Sequence, residues 1–237
     1  MESVMDQVMA TVLDADVLPP RYLNEQLREL MARGESVVVQ NPRSRHNLGV
    51  ALPGPGQVTF KGSVGYYCGG LSNGGVVEIT GNAGWGIGES MARGLIRVRG
   101  SVGQSVGASL RGGTIVVEGD AGPRAGVAQK GGVVVVGGSI GFLSGFMAQR
   151  GKLIALGDAA DGVGDSLYEG NIFVAGRIHG LGIDAVIARP TAEEVDDIEA
   201  IVAEVGFPLK PREWKQVIAG RKLWYFDKRE GQTWLKV

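Results

Sequence analysis

The stretch GNAGWGIGES, residues 81 to 90, places Gly84, Gly86 and Gly88 in alternation, which is the residue type that a phosphate-binding loop needs. Such a loop follows a strand, opens a helix whose N-terminus binds the phosphate, and meets an acidic residue about 20 positions later. Here the apolar run LIRVRG already begins at Leu95, too soon for the helix. The context therefore argues against a nucleotide site, and the glycines need another explanation.

The other reactive side chains are too few and too far apart for a metal centre or a nucleophile–base pair. The two histidines of the chain, His46 and His179, lie at opposite ends of the glycine-rich region. Cys68 is the single cysteine, which excludes an internal disulfide and a multi-cysteine zinc or iron–sulfur site. In the repeat described below Ile and Val occupy the same position, so we expect Cys68 to be a small core residue.

Composition predicts a soluble, folded chain that we expect in the cytoplasm. Its 24 basic and 25 acidic residues leave a net charge of -1, so no overall field attracts nucleic acid or an anionic membrane. Glu2 and Asp6 stand where a signal peptide would be basic, and no apolar run approaches the ~20 residues of a membrane span. The unusual feature is glycine, 40 of 237 residues or about 17% against a usual 7%.

The glycines recur with a period of 19 residues. From Gln57 the chain divides without insertion into seven rows, from QVTFKGSVGYYCGGLSNGG to NIFVAGRIHGLGIDAVIAR. Places two, four and eight of each row are apolar, and the alternation at places two and four is typical of a strand with one buried face. Because a unit with such short strands cannot bury its own face, consecutive rows must stack.

Glycine recurs at the sixth, thirteenth and nineteenth places of this repeat, and we expect these columns at the corners of each coil, where the backbone needs positive φ or approaches a neighbour closely. The sixth-place glycines are Gly62, Gly81, Gly100, Gly119, Gly138, Gly157 and Gly176. The thirteenth-place glycines are Gly69, Gly88, Gly107, Gly126, Gly145 and Gly164. Within residues 81 to 90, Gly81 and Gly88 are thus members of columns rather than of a local motif.

The seventh place is short and polar in six of the seven rows, and it includes Asp120 and Asp158. A pair of carboxylates is a candidate for general acid–base catalysis. The same column also holds Ser63, Asn82 and Ser139. Because these neutral members suit a turn equally well, we interpret the column as a ladder of side chains that bond the backbone.

Basic and aromatic residues supply the candidate partner contacts. Arg111 and Lys130 share the seventeenth place of adjacent rows, and Arg93 and Arg150 follow at the eighteenth place of theirs. Such a row is either a solvated face or a docking stripe for an acidic surface. Three of the four tryptophans, Trp214, Trp224 and Trp234, lie near the C-terminus, where they form either a small satellite core or a partner surface.

The sequence thus predicts an all-β core, a right-handed parallel β-helix of about seven 19-residue coils with helical flanks. We expect an N-terminal helical cap in residues 1–35, the β-helix domain in 36–190, and a helical cap with an aromatic tail in 191–237. The first flank holds a helix from Arg21 to Arg33 that stops at Gly34. The last flank begins with the capping box of Thr191 and Glu194, and a second short helix after Pro211 and a hairpin follow.

The rows resemble a known family. GSVGQSVGAS (100 to 109), GDAGPRAGVAQKGG (119 to 132) and the preceding NPRSRHNLGVAL (41 to 52) are similar to the GXGXG β-helix domain that closes the large subunit of glutamate synthase. The resemblance covers roughly residues 36 to 190. The C-terminal GRIHGLGIDAVIARPTAEEVDDI makes the chain look most like the separate β-helix subunit of N-methylglutamate synthase.

This resemblance implies a subunit without catalytic residues, cofactor or metal of its own, within a transferase complex. It implies two partners, a glutaminase-like subunit of the class II amidotransferase type and an FMN-dependent synthase-like subunit, with FMN and an iron–sulfur cluster held by a partner. The complex would make N-methylglutamate from glutamate and methylamine. Ala160, His179 and Ile183 depart from the glycine pattern and make the last coil irregular.

Two alternatives remain open. The same domain forms the separate β-helix subunit of formylmethanofuran dehydrogenase and of its formyltransferase/hydrolase relative, so a one-carbon complex is the second interpretation. An autonomous binding solenoid is the third, and it predicts an exposed aromatic ladder on one face. The aromatic residues of the rows are spread over several columns, which argues against it. They are Phe60, Tyr66, Tyr67, Trp85, Phe142, Phe146, Tyr168 and Phe173.

Overall fold

A computed structural model describes residues 10–208 and 210–221 of the chain. The expected C-terminal hairpin, with Trp224 and Trp234, lies outside the described residues. The helices are α1 (Pro20–Ala32) and α2 (Ala192–Glu204). The strands are β1 (Thr11–Asp14), β2 (Ser36–Gln40), β3 (Gln57–Phe60), β4 (Asn73–Ile79), β5 (Arg93–Val98), β6 (Thr114–Val117), β7 (Lys130–Val136), β8 (Arg150–Ala155), β9 (Asn171–Val174), β10 (Ala185–Ala188) and β11 (Lys215–Ala219). In the part of the chain that the structure describes, neither helix is long and apolar enough to cross a bilayer.

Strands β2 to β9 form a parallel ladder whose register confirms the 19-residue period. Val58 of β3 pairs with Val77 of β4, Val77 with Ile96, and the same second-place pairing continues through Leu153 to Ile172 of β9. A second column of isolated bridges joins the eighth places from Val64 to Ile178. The chain is therefore a β-solenoid with one rung per row, as the sequence predicts.

The core of the solenoid is made of side chains that the repeat points inward. Places two, four, eight and twelve of each coil are almost entirely apolar and buried, for example Val77, Ile79, Ala83 and Ile87 in the second row. Because the columns are continuous, each side chain packs against its equivalents one rung above and below. Cys68 lies in the twelfth column and is fully buried, as expected.

The segment before the first row is itself a coil, slightly longer than 19 residues. β2 pairs in parallel with β3, with Val37 opposite Val58. Its turn repeats the backbone of the later turns, because Asn47, Gly49 and Ala51 have positive φ, as do Tyr67, Gly69 and Leu71 in the next coil. The added length breaks the 19-residue register, which hides this coil from a search for a strict repeat.

Glycine is required for different physical reasons at the thirteenth and at the sixth place. The thirteenth-place glycines all have φ between +65° and +74°, a left-handed conformation that costs side-chain-bearing residues energy. Among the sixth-place glycines only Gly62 has positive φ. At Gly81 a Cβ would lie 2.7 Å from the backbone nitrogen of Ser63, so that close approach between coils requires glycine there.

The N-terminal flank closes the first end of the solenoid. α1 buries Leu23, Leu27 and Met31 in the main core, and β1 adds a parallel strand beside β2. α1 agrees with the helix predicted between Arg21 and Arg33. β1 extends the sheet into a flank whose sequence predicts only helix.

The C-terminal flank differs from the prediction. The short helix expected after Pro211 is wrong, because Lys215–Ala219 forms β11, which lies antiparallel between β9 and β10. The open edge of β9 offers unpaired backbone groups, and β11 satisfies them. The last coil is irregular as expected, since its Leu181 bridges to Val163, one place out of register.

α2 does not cap an end but lies on the outward face of the sheet. There it packs with Trp214 on the third places of rows four to seven, which are Val116, Val135, Ile154 and Phe173. The capping box is present as predicted, and the hydrogen bond from the Thr191 N–H holds the pKa of Glu194 below its usual value. In rows one to three the third place is instead polar, Thr59, Glu78 and Arg97, so the change of residue type marks where the helix docks.

Replacing Gly81 with alanine tests the close approach of the coils. We expect a loss of about 3 kcal/mol in the free energy of unfolding, measured with urea, because the Cβ meets backbone that cannot turn away. The control is Gly206→Ala, where φ is +87° but no other atom lies within 4 Å, and the left-handed strain alone costs about 1 kcal/mol. Equal losses in the two variants would contradict the assignment.

Candidate functional site

In the glycine-rich stretch of residues 81 to 90 the amides of the three alternating glycines are already bonded, which leaves these amides unavailable to a phosphate. The Gly84 N–H donates to the carbonyl oxygens of Val64 and Gly65, the Gly86 N–H to Gln104, and the Gly88 N–H to Cys68. A phosphate loop needs several N–H groups that point at the ligand. The hydrogen bonds between stacked coils therefore use the glycine N–H groups that phosphate binding would require.

The seventh-place column is a ladder of side chains that each bond the backbone of the next coil. Ser63 Oγ accepts from the Asn82 N–H at 3.0 Å, and Asn82 Oδ1 accepts from the Ser101 N–H at 2.9 Å. The ladder continues through Ser101, Asp120, Ser139 and Asp158 to the backbone of Arg177. The expected ladder is thus present, although each bond reaches one rung further than a local turn would.

Asp120 and Asp158 are members of this ladder rather than a catalytic pair. In each, Oδ1 accepts a backbone N–H at 2.7 Å, from Ser139 and Arg177 respectively. Asp158 also has His179 nearby, with Nε2 3.7 Å from Oδ2. Both aspartates are exposed on the exterior of the solenoid, where water solvates their carboxylates.

His46 begins an aromatic stack that the 19-residue alignment does not predict. Its ring lies 4.1 Å from the ring of Tyr66, which lies 4.9 Å from that of Trp85, and both pairs are nearly parallel. His46 Nδ1 accepts from the Tyr66 N–H at 3.0 Å, which leaves the ring proton on Nε2. Tyr66, Trp85 and Phe142 all occupy the tenth place, so the aromatics are less scattered than expected.

The rings of the stack cover one another's inner faces. Because each ring covers the face of its neighbour, a planar or sugar ligand finds no open platform between them. Tyr66 and Trp85 are nevertheless 43% and 49% exposed. The two faces of Tyr66 are therefore both covered by neighbouring rings. A strict 19-residue alignment hides the stack, since His46 belongs to the longer leading coil.

Cys68 is chemically quiet. Burial raises the pKa of its thiol to about 12, so the reactive thiolate is scarce at neutral pH. No group of three His, Cys, Asp or Glu side chains that could hold a metal ion occurs within residues 10–208 and 210–221.

The four basic residues singled out by the sequence lie exposed on successive coils. The Arg93 Nε–H donates to Asn73 Oδ1 at 2.9 Å, and Arg150 Nε lies 3.6 Å from Glu169 Oε2. Arg111 and Lys130, between them, have no carboxylate at ion-pair distance among the described residues. Among the four, Lys130 and Arg150 stand opposite each other where β7 and β8 pair.

Trp214 is buried within the protein. It is 6% exposed in the smaller core, its Nε1–H donates to Glu199 Oε1 at 2.7 Å, and Arg212 lies over its ring at 5.8 Å. This burial favours the satellite core over the partner surface for Trp214. A neighbouring surface hollow of about 380 Å³ is lined by Arg189, Asp196 and other residues of this flank. Trp224 and Trp234 lie outside the described residues.

Comparison with known proteins identifies the family. No family model matches the chain. Over 219 residues, however, it is 41% identical to Protein GlxC of Rhizobium meliloti (strain 1021), in an alignment that covers 91% of this chain and 96% of GlxC. The chain belongs to the GlxC family. Because nearly all of GlxC aligns, the solenoid and its flanks account for almost the whole of that relative.

A solved structure has the fold of this GlxC-family chain. A chain of the formyltransferase/hydrolase complex (FhcABCD) from Methylorubrum extorquens, determined with methylofuran, superposes with a TM-score of 0.55. It is 20% identical and the match covers 86% of this chain and 87% of that one. At this identity the likeness establishes the solenoid fold and nothing further.

In this GlxC-family chain, replacing the ladder carboxylates tests whether they do chemistry. Asp120→Asn and Asp158→Asn keep an acceptor oxygen, so we expect free energies of unfolding within about 0.5 kcal/mol of the wild type. Asp120→Ala removes the acceptor of the Ser139 N–H and should cost about 1 kcal/mol. Urea unfolding measures both. An Asn variant that keeps its stability but abolishes the activity of an assembled complex would restore the catalytic interpretation.

The Cys68 thiol should resist modification while the protein is folded. Because its pKa is raised to about 12 and the side chain is buried, a thiol-reactive disulfide reagent at mildly alkaline pH should react only after unfolding in urea. The absorbance of the released reagent anion follows the reaction. Complete reaction of the native protein at the rate of the unfolded chain would contradict the core assignment.

Proposed function

We propose that this chain is a non-catalytic scaffold subunit of a glutamate-synthase-like complex of the N-methylglutamate synthase type. In that complex it bridges a glutaminase-like subunit and an FMN-dependent synthase-like subunit. The observation that carries the proposal is the match to GlxC along nearly the whole of both chains. The resemblance of the repeats to the glutamate synthase β-helix domain supports it and supplies the reaction class.

The hydrogen bonding of the coils supports a scaffold role. The amides of the glycine-rich turn and the acceptors of the seventh-place ladder are bonded to neighbouring coils, and Cys68 is buried. Polar groups that hold rungs together are not free to bind a substrate or stabilise a transition state. What the chain offers partners is a rigid column with outward side chains, which suits a subunit that sets the distance between two others.

The cofactors belong to the partners in this proposal. An iron–sulfur cluster needs several thiolates, and this chain has a single, buried cysteine. The phosphate of FMN could be bound by the backbone N–H groups of a glycine-rich turn, but the amides of Gly84, Gly86 and Gly88 are bonded within the solenoid. FMN and the cluster are therefore assigned to the synthase-like subunit, and the glutaminase-like subunit supplies the amide hydrolysis.

A second candidate is a subunit of a one-carbon formyltransferase/hydrolase complex. The observation in its favour is the superposition on a chain of the FhcABCD complex. The same scaffold role would then serve an amidohydrolase-like partner. The two candidates differ in the identity of the partners and not in the role of this chain.

Affinity purification of the tagged chain from its own cells separates these candidates. We expect a glutaminase-like and an FMN-containing subunit in stoichiometric amounts, identified by mass spectrometry, and N-methylglutamate formation from glutamate and methylamine by the isolated complex. An amidohydrolase-like subunit in their place would favour the second candidate. The chain purified alone should be folded, colourless and inactive, whereas bound flavin or turnover without partners would contradict the scaffold role.

A further inference from the structure

Four exposed cations occupy the seventeenth or eighteenth place of successive coils. Arg93, Arg111, Lys130 and Arg150, here called the basic ladder, come from coils two to five and are all exposed. Lys130 and Arg150 stand directly opposite each other where β7 and β8 pair. Neighbouring rungs are about 4.8 Å apart, so the row places like charges at successive rungs without alternation.

The outward face of the sheet shows how the same fold arranges charges that serve its own stability. There Arg97 and Arg99 alternate with Glu78 and Glu118, with nitrogen–oxygen distances of 2.7 to 3.2 Å. Arg97 also donates to the carbonyl oxygen of Val205, at the end of α2. Every charge in this group has an opposite neighbour. The basic ladder lacks that pattern.

Like charges opposite each other on paired strands are unfavourable, and water and salt screen them only in part. The ends of the ladder are relieved by Asn73 beside Arg93 and by Glu169 beside Arg150. Arg111 and Lys130 in the middle have no acidic neighbour at ion-pair distance among the described residues. A row of this kind is suited to carboxylates brought by another molecule.

The surface beside the ladder is shallow in the same coils. The fifteenth place, two or three residues before each cation, is Ser90, Ser109 and Ala128 in coils two to four. It becomes Leu71 and Met147 in coils one and five, and these two side chains are 51% and 38% exposed. Small side chains bounded by two apolar ones leave room for an element that lies along the solenoid axis.

The spacing of the rungs selects the kind of element. An α-helix along the axis presents one side chain per turn to the ladder, about every 5.4 Å. This repeat is close to the rung spacing of ~4.8 Å, so the mismatch that accumulates across four rungs is small. An extended strand presents one every ~6.8 Å and falls out of step after about two rungs. Flexible Arg and Lys side chains absorb the smaller mismatch.

We propose that the basic ladder docks an acidic helix of a partner protein, which lies along the solenoid axis with one carboxylate per turn facing Arg93, Arg111, Lys130 and Arg150. A nucleic acid is the less suitable occupant, because the ladder has four charges and the chain as a whole carries -1. The inference goes beyond the proposed function, since it needs a protein partner but no particular reaction.

The test uses the isolated full chain and a fluorescein-labelled, Ala-rich helical peptide of about 20 residues with Glu at positions i, i+4, i+7 and i+11. Fluorescence anisotropy should show binding that weakens as salt is raised. A peptide of the same composition with its Glu residues spread around the helix should bind less tightly. The double variant R111E/K130E should weaken binding of the first peptide by about tenfold or more, because two attractive contacts become repulsive.

The matched control is K61E/R124E, which makes the same change of net charge at two exposed cations away from the ladder. It should leave peptide binding unchanged, and thermal unfolding should show that both double variants fold. Equal binding of the two peptides, or equal losses in the two variants, would overturn the proposal. Tighter binding of a single-stranded DNA oligonucleotide, or an R111E/K130E-sensitive homodimer in sedimentation, would overturn it in favour of those occupants. The proposed function is tested by co-purification and the docking of an acidic helix by peptide binding, so either proposal can fail without the other.

Discussion

The structure depends on one constraint, that every coil must stack in register on the coil before it. The parallel pairing of β3 through β9 repeats at 19 residues without a slip between the second places. Close approach follows from this pairing, and it is what excludes a Cβ at Gly81. The buried columns and the side-chain ladder from Ser63 to Arg177 follow as well, because equivalent residues meet only when the register holds.

The same constraint decides which polar groups are bonded within the solenoid and which outward positions remain for recognition. Amides and short polar side chains at the turns bond neighbouring rungs, so they are unavailable to substrate. In the described coils, the outward side chains of the third place do not hydrogen-bond the backbone of the next coil, and their residue types vary from row to row. The third place changes from Thr59, Glu78 and Arg97 to Val116 and its successors where α2 docks, and places seventeen and eighteen become basic in coils two to five. Binding in a solenoid is therefore expected in its outward columns.

The two ends of the solenoid are covered by different kinds of structure. α1 inserts Leu23, Leu27 and Met31 into the open end of the core, and β1 extends the sheet. At the other end β11 pairs with the edge of β9, and β10 becomes the last strand. Amphipathic spacing predicts α1 because its buried face is local in sequence. It does not predict β11, since its pairing partner, β9, is distant in the chain and its local pattern is compatible with more than one conformation.

By itself the sequence determined the period, the strands and buried columns of the repeat, and both helices, because equivalent residues of neighbouring rows occupy the same places. Only the tertiary structure decided what depends on contacts outside that repeat. It revealed the leading coil and the stack of His46, Tyr66 and Trp85, whose register is offset by extra residues. It shows that the segment after Pro211 forms a strand and that Trp214 is buried. It also separated Arg97 and Arg99, which have acidic neighbours, from Arg111 and Lys130, which have none within ion-pair reach in the described chain, because side-chain pairing is a property of three-dimensional proximity.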